Sequence, residues 1–294
     1  MFLWSKLSAA RWHDAWDERF AGNPNFVVEY LKGGKSLRVK LYCEKEKDAR
    51  AVVARFGGTY RKMAGGEWKK PVAPPRPVKV RDALLVTAES TPAGLAKLRK
   101  DHPGRDIISI PPEMAFGTGD HATTATCLRL LLDAARARGK DDGGRWTCAD
   151  LGCGTGLLAI AAAKMGAGEI FACDFDPFAV RASARNAKRN GTPAIDVREQ
   201  DVLKWKPRKR GYDLVLANLF STVLIEAWPV IAKSLAPGGD LIVSGILADQ
   251  AWDVFTAAAS NGLGFTQVIR KGKWVTARGG HMNDLIARGA AADV

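Results

Sequence analysis

Residues 150–156 read DLGCGTG; they close the apolar run WTCADL (146–151) and open the helix-like run LLAIAAAKMG (157–166). Glycine lets the backbone turn tightly at a strand end and approach a ligand closely. The G-x-G-x-G spacing differs from the G-x-G-x-x-G fingerprint of dinucleotide-binding folds. The Asp150 carboxylate would repel a pyrophosphate but accepts a hydrogen bond from the ammonium of an amino acid. Asp150 and the loop glycines therefore favour S-adenosylmethionine over NAD, and the candidate contacts are Asp150, Gly152, Gly154 and Gly156.

The sequence from residue 121 onward alternates between strand and helix patterns. Short apolar runs flanked by turn residues predict seven strands: WTCADL, EIFACD, AIDVRE, YDLVLAN, DLIVSGI, GFTQVIR and KWVTARG. Helices between strands imply parallel pairing through right-handed crossovers. Only Lys271 and Gly272 separate the last two strands, so these form an antiparallel hairpin. The predicted fold class is α/β: a doubly wound, mostly parallel seven-stranded methyltransferase sheet with a terminal antiparallel hairpin.

The preceding third of the chain has a different organisation. The run KKPVAPPRPVKV (69–80) contains four prolines, which deny backbone donors and favour an extended linker. Before it, SLRVKLYC (36–43), EKDARAVVARFG (46–57) and GTYRKM (58–63) predict a strand, a helix and a strand. We predict a small α+β domain over 1–68, a linker with connecting elements over 69–104, and the cofactor-binding domain over 105–294.

Composition limits the classes of partner. The 44 Lys and Arg exceed the 31 Asp and Glu, giving a formal net charge of +13, which indicates an acidic or nucleic-acid partner such as ribosomal RNA. The basic run KPRKRG (206–211) is by itself typical of a solvated loop. No apolar run approaches the roughly 20 residues of a membrane span, so we expect a cytoplasmic protein without membrane contact. We also expect a monomer. The cysteines and histidines lack ligand spacing, which predicts reduced core thiols and no metal site.

Three acidic residues follow predicted strands. Asp174 ends the second strand of the alternating region, where a carboxylate accepts hydrogen bonds from the two ribose hydroxyls of an adenosine. Asp176 precedes Pro177 and has the pattern of a helix N-cap, so we assign it a structural role. Asp201 follows the third strand, near the expected adenine position, and is equally consistent with a ligand contact and with a turn or cap.

Asn218 ends the fourth strand, beside the topological switch point at which ligands bind in such sheets. A neutral amide can both donate and accept hydrogen bonds, which suits the orientation of an amine nucleophile. The alternative is a turn residue at a strand end. Leu219 and Phe220 follow it, so the Asn-Pro-Pro pattern of base methylation is missing.

Five stretches, taken in order, resemble the PrmA family, which methylates the eleventh protein of the large ribosomal subunit: AFGTGDHATT (115–124), DLGCGTGLLAIAAAKMGA (150–167), DFDP (174–177), DLVLANL (213–219) and LAPGGDLIVSGIL (235–247). The resemblance covers about residues 105–280. It implies cofactor contacts at Thr124, Gly152, Asp174 and Asn218. It also implies an N-terminal substrate-recognition domain, from whose pattern residues 4–24 depart.

The resemblance further implies that the first stretch is a lid that folds over the cofactor. Gly117 and Gly119 would be its hinges, and its threonines, Thr118 among them, would supply hydroxyls. His121 would orient or cap the loop rather than act as a base. The lid residues are Phe116, Gly117, Thr118, Gly119 and His121.

These observations predict an S-adenosylmethionine-dependent protein methyltransferase acting on lysine ε-amines, with an N-terminal α-amine as a further acceptor, of a ribosomal protein. One alternative is a methyltransferase of RNA or of another protein. A second is a ribosome-associated binding protein without turnover. A third is an NAD-dependent oxidoreductase, which nicotinamide binding would reveal.

Overall fold

The computed structural model describes residues 1–13, 16, 19–20, 23, 25–31, 34–63, 77–111, 121–138 and 146–289. The chain divides into two compact units, Met1–Ala73 and Pro74–Val294. None of the helices in these described ranges is long and apolar enough to cross a bilayer.

Within its described residues, the first unit contains a four-stranded antiparallel sheet, in the order β2-β3-β1-β4, and an α-helix. Its elements are β1 (Phe2–Ala9), β2 (Phe26–Tyr30), β3 (Ser36–Cys43), α1 (Glu46–Phe56) and β4 (Thr59–Lys62), with a 3-10 turn at Ala10–Trp12. The predicted strand-helix-strand segment is present as β3, α1 and β4. Both of these strands pair antiparallel with β1, which lies between them, so they run parallel to one another. Strands β1 and β2 were not predicted.

Aromatic side chains form the core of this unit. Trp4 is fully buried and Trp16 nearly so, and their ring centroids are 6.1 Å apart. The Trp4 indole N–H donates to the carbonyl of Gly57 over 2.8 Å. Gly58 has a φ of +87°, and a β-carbon there would lie 2.6 Å from the carbonyl oxygen of Ser5. The glycine pair therefore lets the chain pass close to β1.

The second unit begins with a three-stranded sheet and one helix: β5 (Val78–Val80), β6 (Leu84–Thr87), α2 (Pro92–Asp101) and β7 (Asp106–Ser109). Strands β6 and β7 are parallel, and β5 joins β6 antiparallel. Val78–Val80 was expected at the end of an extended linker and instead forms a strand. The Asn190 side chain fixes β7, because it accepts from the N–H of Ser109 (2.8 Å) and donates to its carbonyl (2.9 Å).

The main sheet has seven strands: β8 (Thr147–Leu151), β9 (Glu169–Asp174), β10 (Asp196–Glu199), β11 (Tyr212–Asn218), β12 (Leu235–Leu247), β13 (Leu263–Lys271) and β14 (Trp274–His281). Its helices are α3 (Ala122–Ala137), α4 (Leu157–Lys164), α5 (Pro177–Arg189), α6 (Ser221–Ser234), α7 (Ala251–Ala259) and α8 (Met282–Ala287), with a 3-10 turn at Val202–Lys204. The seven predicted strands are all present.

The strand order is β10-β9-β8-β11-β12-β14-β13. Strands β8 to β12 pair in parallel, whereas β14 is antiparallel to both β12 and β13. The predicted parallel sheet with a terminal hairpin is therefore confirmed. Strand order reverses between β8 and β11, so the carboxyl ends of these two strands border the switch point at which ligands bind in this class of sheet.

Apolar clusters cover both faces of the sheet, as expected for parallel strands. One cluster includes Leu128, Leu131 and Ile160, and the other includes Trp228 and Ile231. All five cysteines are buried free thiols, in agreement with the prediction of reduced core residues. Burial raises the pKa of the Cys127 thiol to about 12, which keeps it unreactive.

Candidate functional site

The loop after β8 has the backbone that its glycines predict. Gly152, Gly154 and Gly156 have φ values of +73°, +54° and +78°, in the left-handed region that favours glycine. A β-carbon at Gly152 would lie 2.3 Å from a side-chain carbon of Leu219, and one at Gly156 would lie 2.3 Å from the Ser183 hydroxyl. A side chain at position 152 would therefore displace the Leu219 side chain, and one at position 156 would press on α5 at Ser183.

Strand β9 holds this loop in place. The N–H groups of Gly152 and Cys153 both donate to the carbonyl of Cys173, over 2.8 and 2.9 Å. The N–H of Gly154 donates to the Asp174 carboxylate over 2.9 Å, and the other oxygen of that carboxylate accepts from the N–H of Asp176 over 3.0 Å. Asp174 is 9% exposed. The predicted ribose-binding residue thus also anchors the glycine loop, a role that the sequence analysis did not foresee.

Asp150 lies beneath the loop and is almost completely buried. One carboxylate oxygen accepts from the N–H of Ala159, in the first turn of α4, over 3.0 Å. Loss of water raises the pKa of Asp150 to about 7, and the nearby Asp174 carboxylate adds to this rise. An incoming ammonium group would favour the charged form, which fits the predicted contact.

Asp176 and Asp201 are both caps. Asp176 accepts from the N–H of Phe178 over 2.8 Å at the start of α5, which confirms its structural assignment. Asp201 accepts from the N–H of Leu203 over 3.0 Å at the start of the 3-10 turn, and its carboxylate lies 3.5 Å from the Lys204 ammonium. The capping alternative for Asp201 is therefore observed, and its adenine contact stays a prediction.

A series of side-chain hydrogen bonds joins Asn218 to the first turn of α3. Its amide donates to the Thr123 hydroxyl over a long 3.4 Å, and that hydroxyl lies 2.7 Å from Nδ1 of His121. Nδ1 also accepts from the N–H of Thr123 over 3.4 Å, so His121 caps the helix, and its role in the lid stays a prediction. The imidazole makes an edge contact with Trp274, at 5.2 Å between centroids.

Thr123 was missed by the sequence analysis, which chose its neighbour. Thr124 is 2% exposed, and its hydroxyl has no hydrogen-bond partner among the described residues. The Ser221 hydroxyl, at the start of α6 three residues after Asn218, is likewise buried without such a partner. Buried hydroxyls are usually paired in native proteins, so both are candidates for contact with a bound ligand.

The structure brings most of the predicted residues to one edge of the sheet. Asp150, Asp174 and the loop glycines meet at the ends of β8 and β9, and Leu219 connects that group to the end of β11 through its contact with Gly152. The predicted lid residues Phe116, Gly117, Thr118 and Gly119 lie outside the described residues. No group of three or more potential metal ligands occurs within the part of the chain that the structure describes.

Comparison with known proteins agrees with this geometry. A ribosomal protein L11 methyltransferase from Pelotomaculum thermopropionicum is 43% identical over 170 residues, which are 58% of this chain and 52% of that protein. One from Rhizobium meliloti is 39% identical over 180 residues, 60% of each chain. The chain therefore matches less than two thirds of the length of these curated relatives.

A solved structure and a family model extend the match. The crystal structure of a ribosomal protein L11 methylase from Lactobacillus delbrueckii subsp. bulgaricus superposes with a TM-score of 0.58 at 28% identity, covering 70% of this chain and 98% of that one. The family model of ribosomal protein L11 methyltransferase (PrmA) matches residues 35–281. Since that range is most of the sequence, the chain belongs to the ribosomal protein L11 methyltransferase (PrmA) family.

Proposed function

We propose that this protein transfers the methyl group of S-adenosylmethionine to lysine ε-amines, and to an N-terminal α-amine, of ribosomal protein L11. The observation that carries the proposal is the group of residues at the switch point. There, Asp174 anchors the glycine loop that follows β8, and Asn218 ends β11, the strand next to β8. The family membership and the names of the matched relatives support the reaction and the substrate.

The residues present fit the proposed cofactor. Asp174 would bind the ribose hydroxyls, and the buried Asp150 would attract the ammonium of the methionine portion. The Thr124 hydroxyl, which has no hydrogen-bond partner among the described residues, would complete its hydrogen bonding on the ligand. When bound, S-adenosylmethionine supplies an electrophilic methyl group on a sulfonium.

The chain's own contribution is to bind and orient the amine. A lysine has a reference pKa near 10.4 and must lose its proton before it can act as a nucleophile. Removal of water at the end of β11 lowers that pKa, because desolvation disfavours the charged ammonium. The side-chain oxygen of Asn218 would then accept from the neutral amine and orient its lone pair, while Thr123 holds the amide nitrogen.

The partners and the location follow from this reaction. We propose that the first unit recognises the substrate protein, that the enzyme acts as a cytoplasmic monomer, and that ribosomal RNA is a further partner because the chain is strongly basic. The lid role of the residues 115–121 belongs to the same proposal.

Labelled S-adenosylmethionine tests the function directly. The purified protein is incubated with the labelled donor and, in parallel reactions, with dissociated large-subunit proteins or with large-subunit RNA, and Asp174→Ala is the control enzyme. We expect one labelled protein, L11, and modified lysines in its peptides by mass spectrometry. Label in RNA, or in another protein instead of L11, would replace this proposal with one of the methyltransferase alternatives; cofactor binding without transfer would favour a non-catalytic protein.

A further inference from the structure

The outer edge of the seven-stranded sheet carries a concentration of positive charge. Residues 176–211, which comprise α5, β10 and the loop to β11, contain ten Lys and Arg against four Asp and Glu. This segment therefore supplies +6 of the formal net charge of +13. Strand β10 is the terminal strand of the sheet, so one of its sides is not covered by another strand.

A cavity of about 280 Å³ lies beside β10, with an aromatic floor and a cationic rim. Phe171 and Trp205 stack face to face, with their centroids 4.9 Å apart and their planes within 4°. Arg198, Lys204 and Lys206 line the cavity with them. Both rings belong to the hydrophobic core and are 7% and 9% exposed, so a ligand here would contact mainly the cations. Phosphates of nucleic acid are bound by Lys and Arg side chains of this kind.

The rim cations retain capacity for a ligand. The Arg198 side chain is 65% exposed and bonds Asp196 through Nε and one terminal nitrogen, which leaves the other terminal nitrogen available. The Lys204 side chain is 81% exposed, and its ammonium forms a long ion pair of 3.5 Å with the Asp201 carboxylate. Lys206 is exposed and makes no ion pair with the described residues. Exposed pairs of this kind are weak, so phosphate can compete for their cations.

Helix α5 carries further positive charge, on the opposite face of the sheet from the cavity. Arg181, Arg185 and Lys188 are exposed and follow one another at four- and three-residue spacing, so they share one face of the helix. The Arg181 guanidinium lies 4.5 Å from the ring centroid of Phe178, which is itself 58% exposed. The helix contains no acidic residue between Pro177 and Arg189.

We propose that the edge of the sheet formed by β10 and the cavity rim binds single-stranded RNA through its phosphate backbone. Recognition of the RNA backbone needs several cations along a surface rather than one specific pocket, and it confers little preference for base sequence. The inference rests on the distribution of charge at this edge of the sheet, independently of methyl transfer.

A titration of fluorescein-labelled, mixed-sequence 12-nucleotide RNA tests this surface by anisotropy at 50, 100 and 200 mM KCl. The full-length wild type is compared with R198Q/K204Q/K206Q and with a matched control, K97Q/R99Q/K100Q, which removes one Arg and two Lys from exposed positions on α2. We expect the rim variant to raise Kd at least tenfold and the control to change it less than threefold. The slope of log K against log[KCl] should decrease in magnitude by about 2 in the rim variant, at ~0.7 per phosphate contact.

Further outcomes and variants of this titration ensure that each result either supports or overturns the proposal. Equal weakening by both triple variants, or no binding of the RNA by the wild type, would overturn the proposal. Wild-type affinity for a labelled polyglutamate peptide equal to that for RNA would also overturn it, in favour of an acidic protein segment. If the rim triple does not fold, Lys206→Glu replaces it with Lys97→Glu as control, and only the former should raise Kd severalfold. No methyl donor is present, so failure here is distinguishable from failure of the proposed enzymatic activity.

Discussion

The two halves of the candidate site are built differently. At the ends of β8 and β9, backbone N–H groups occupy both oxygens of Asp174 and one oxygen of Asp150, over 2.9 to 3.0 Å. At the end of β11, Asn218 depends on one side-chain hydrogen bond of 3.4 Å to Thr123. Backbone groups fix the first half before any ligand binds, whereas the second half can adjust when an amine arrives. We therefore expect the first half to govern cofactor affinity and the second to govern turnover.

Asp174→Ala should have the largest effect. It removes the proposed ribose contacts and leaves the N–H of Gly154 without its partner, at roughly 1.5 to 3 kcal/mol for each charge-assisted bond. Cofactor affinity by calorimetry should fall at least 100-fold. Asp176→Ala is the matched control, since it removes only a cap and should cost about 1 kcal/mol of stability while leaving affinity nearly intact. An unchanged affinity in Asp174→Ala would remove the ribose assignment.

Asp150→Asn should change how stability depends on pH. Folding raises the pKa of this carboxyl from its ordinary 3.8 to about 7, so between these values the folded state holds a proton that the unfolded chain releases. The wild type therefore loses stability, relative to the variant, as pH rises toward 7, by up to about 1.4 kcal/mol per pH unit, and no further above it. Urea unfolding of both proteins at pH 5, 6, 7 and 8 measures this difference. Parallel stability curves would show that Asp150 stays charged in the folded protein.

Asn218→Ala should lower kcat by about 100-fold, or roughly 2.7 kcal/mol of transition-state stabilisation, with a smaller effect on cofactor affinity. Asn218→Asp should shift the pH optimum upward, because a carboxylate stabilises the protonated, unreactive lysine. The kcat of each protein is measured against pH at saturating cofactor. Three superimposable profiles would leave Asn218 as a turn residue at a strand end.

Thr123→Val should have the smallest effect, lowering kcat about tenfold, which corresponds to 1.4 kcal/mol. The substitution preserves the shape of the side chain but leaves the Asn218 amide without its observed partner. Thr123→Ser retains the hydroxyl and should restore most of the turnover. A loss of stability in Thr123→Val with wild-type kcat would give Thr123 a purely structural role.

Local patterns explain what the sequence could predict. The glycine loop and Asp174 belong to one strand-loop-helix-strand segment, and β3 has alternating burial, so each has a short-range signal. The pairing of Asn218 with Thr123 joins residues 95 positions apart, which no local pattern encodes. Strand β2 has no fully buried residue and β1 has only Trp4, so neither shows the alternation that identifies a strand. The anchoring of the loop by Asp174 was missed because it depends on strand register.

The most direct test measures cofactor Kd and saturated kcat together for Asp174→Ala and Asn218→Ala on the same L11 substrate. If the two halves of the site act separately, one variant should change mainly Kd and the other mainly kcat. Asp174→Ala should raise Kd at least 100-fold and largely retain kcat when cofactor saturates, whereas Asn218→Ala should lower kcat about 100-fold and change Kd less than tenfold. If both variants changed the same constant by similar factors, the site would act as one unit and the division would be wrong.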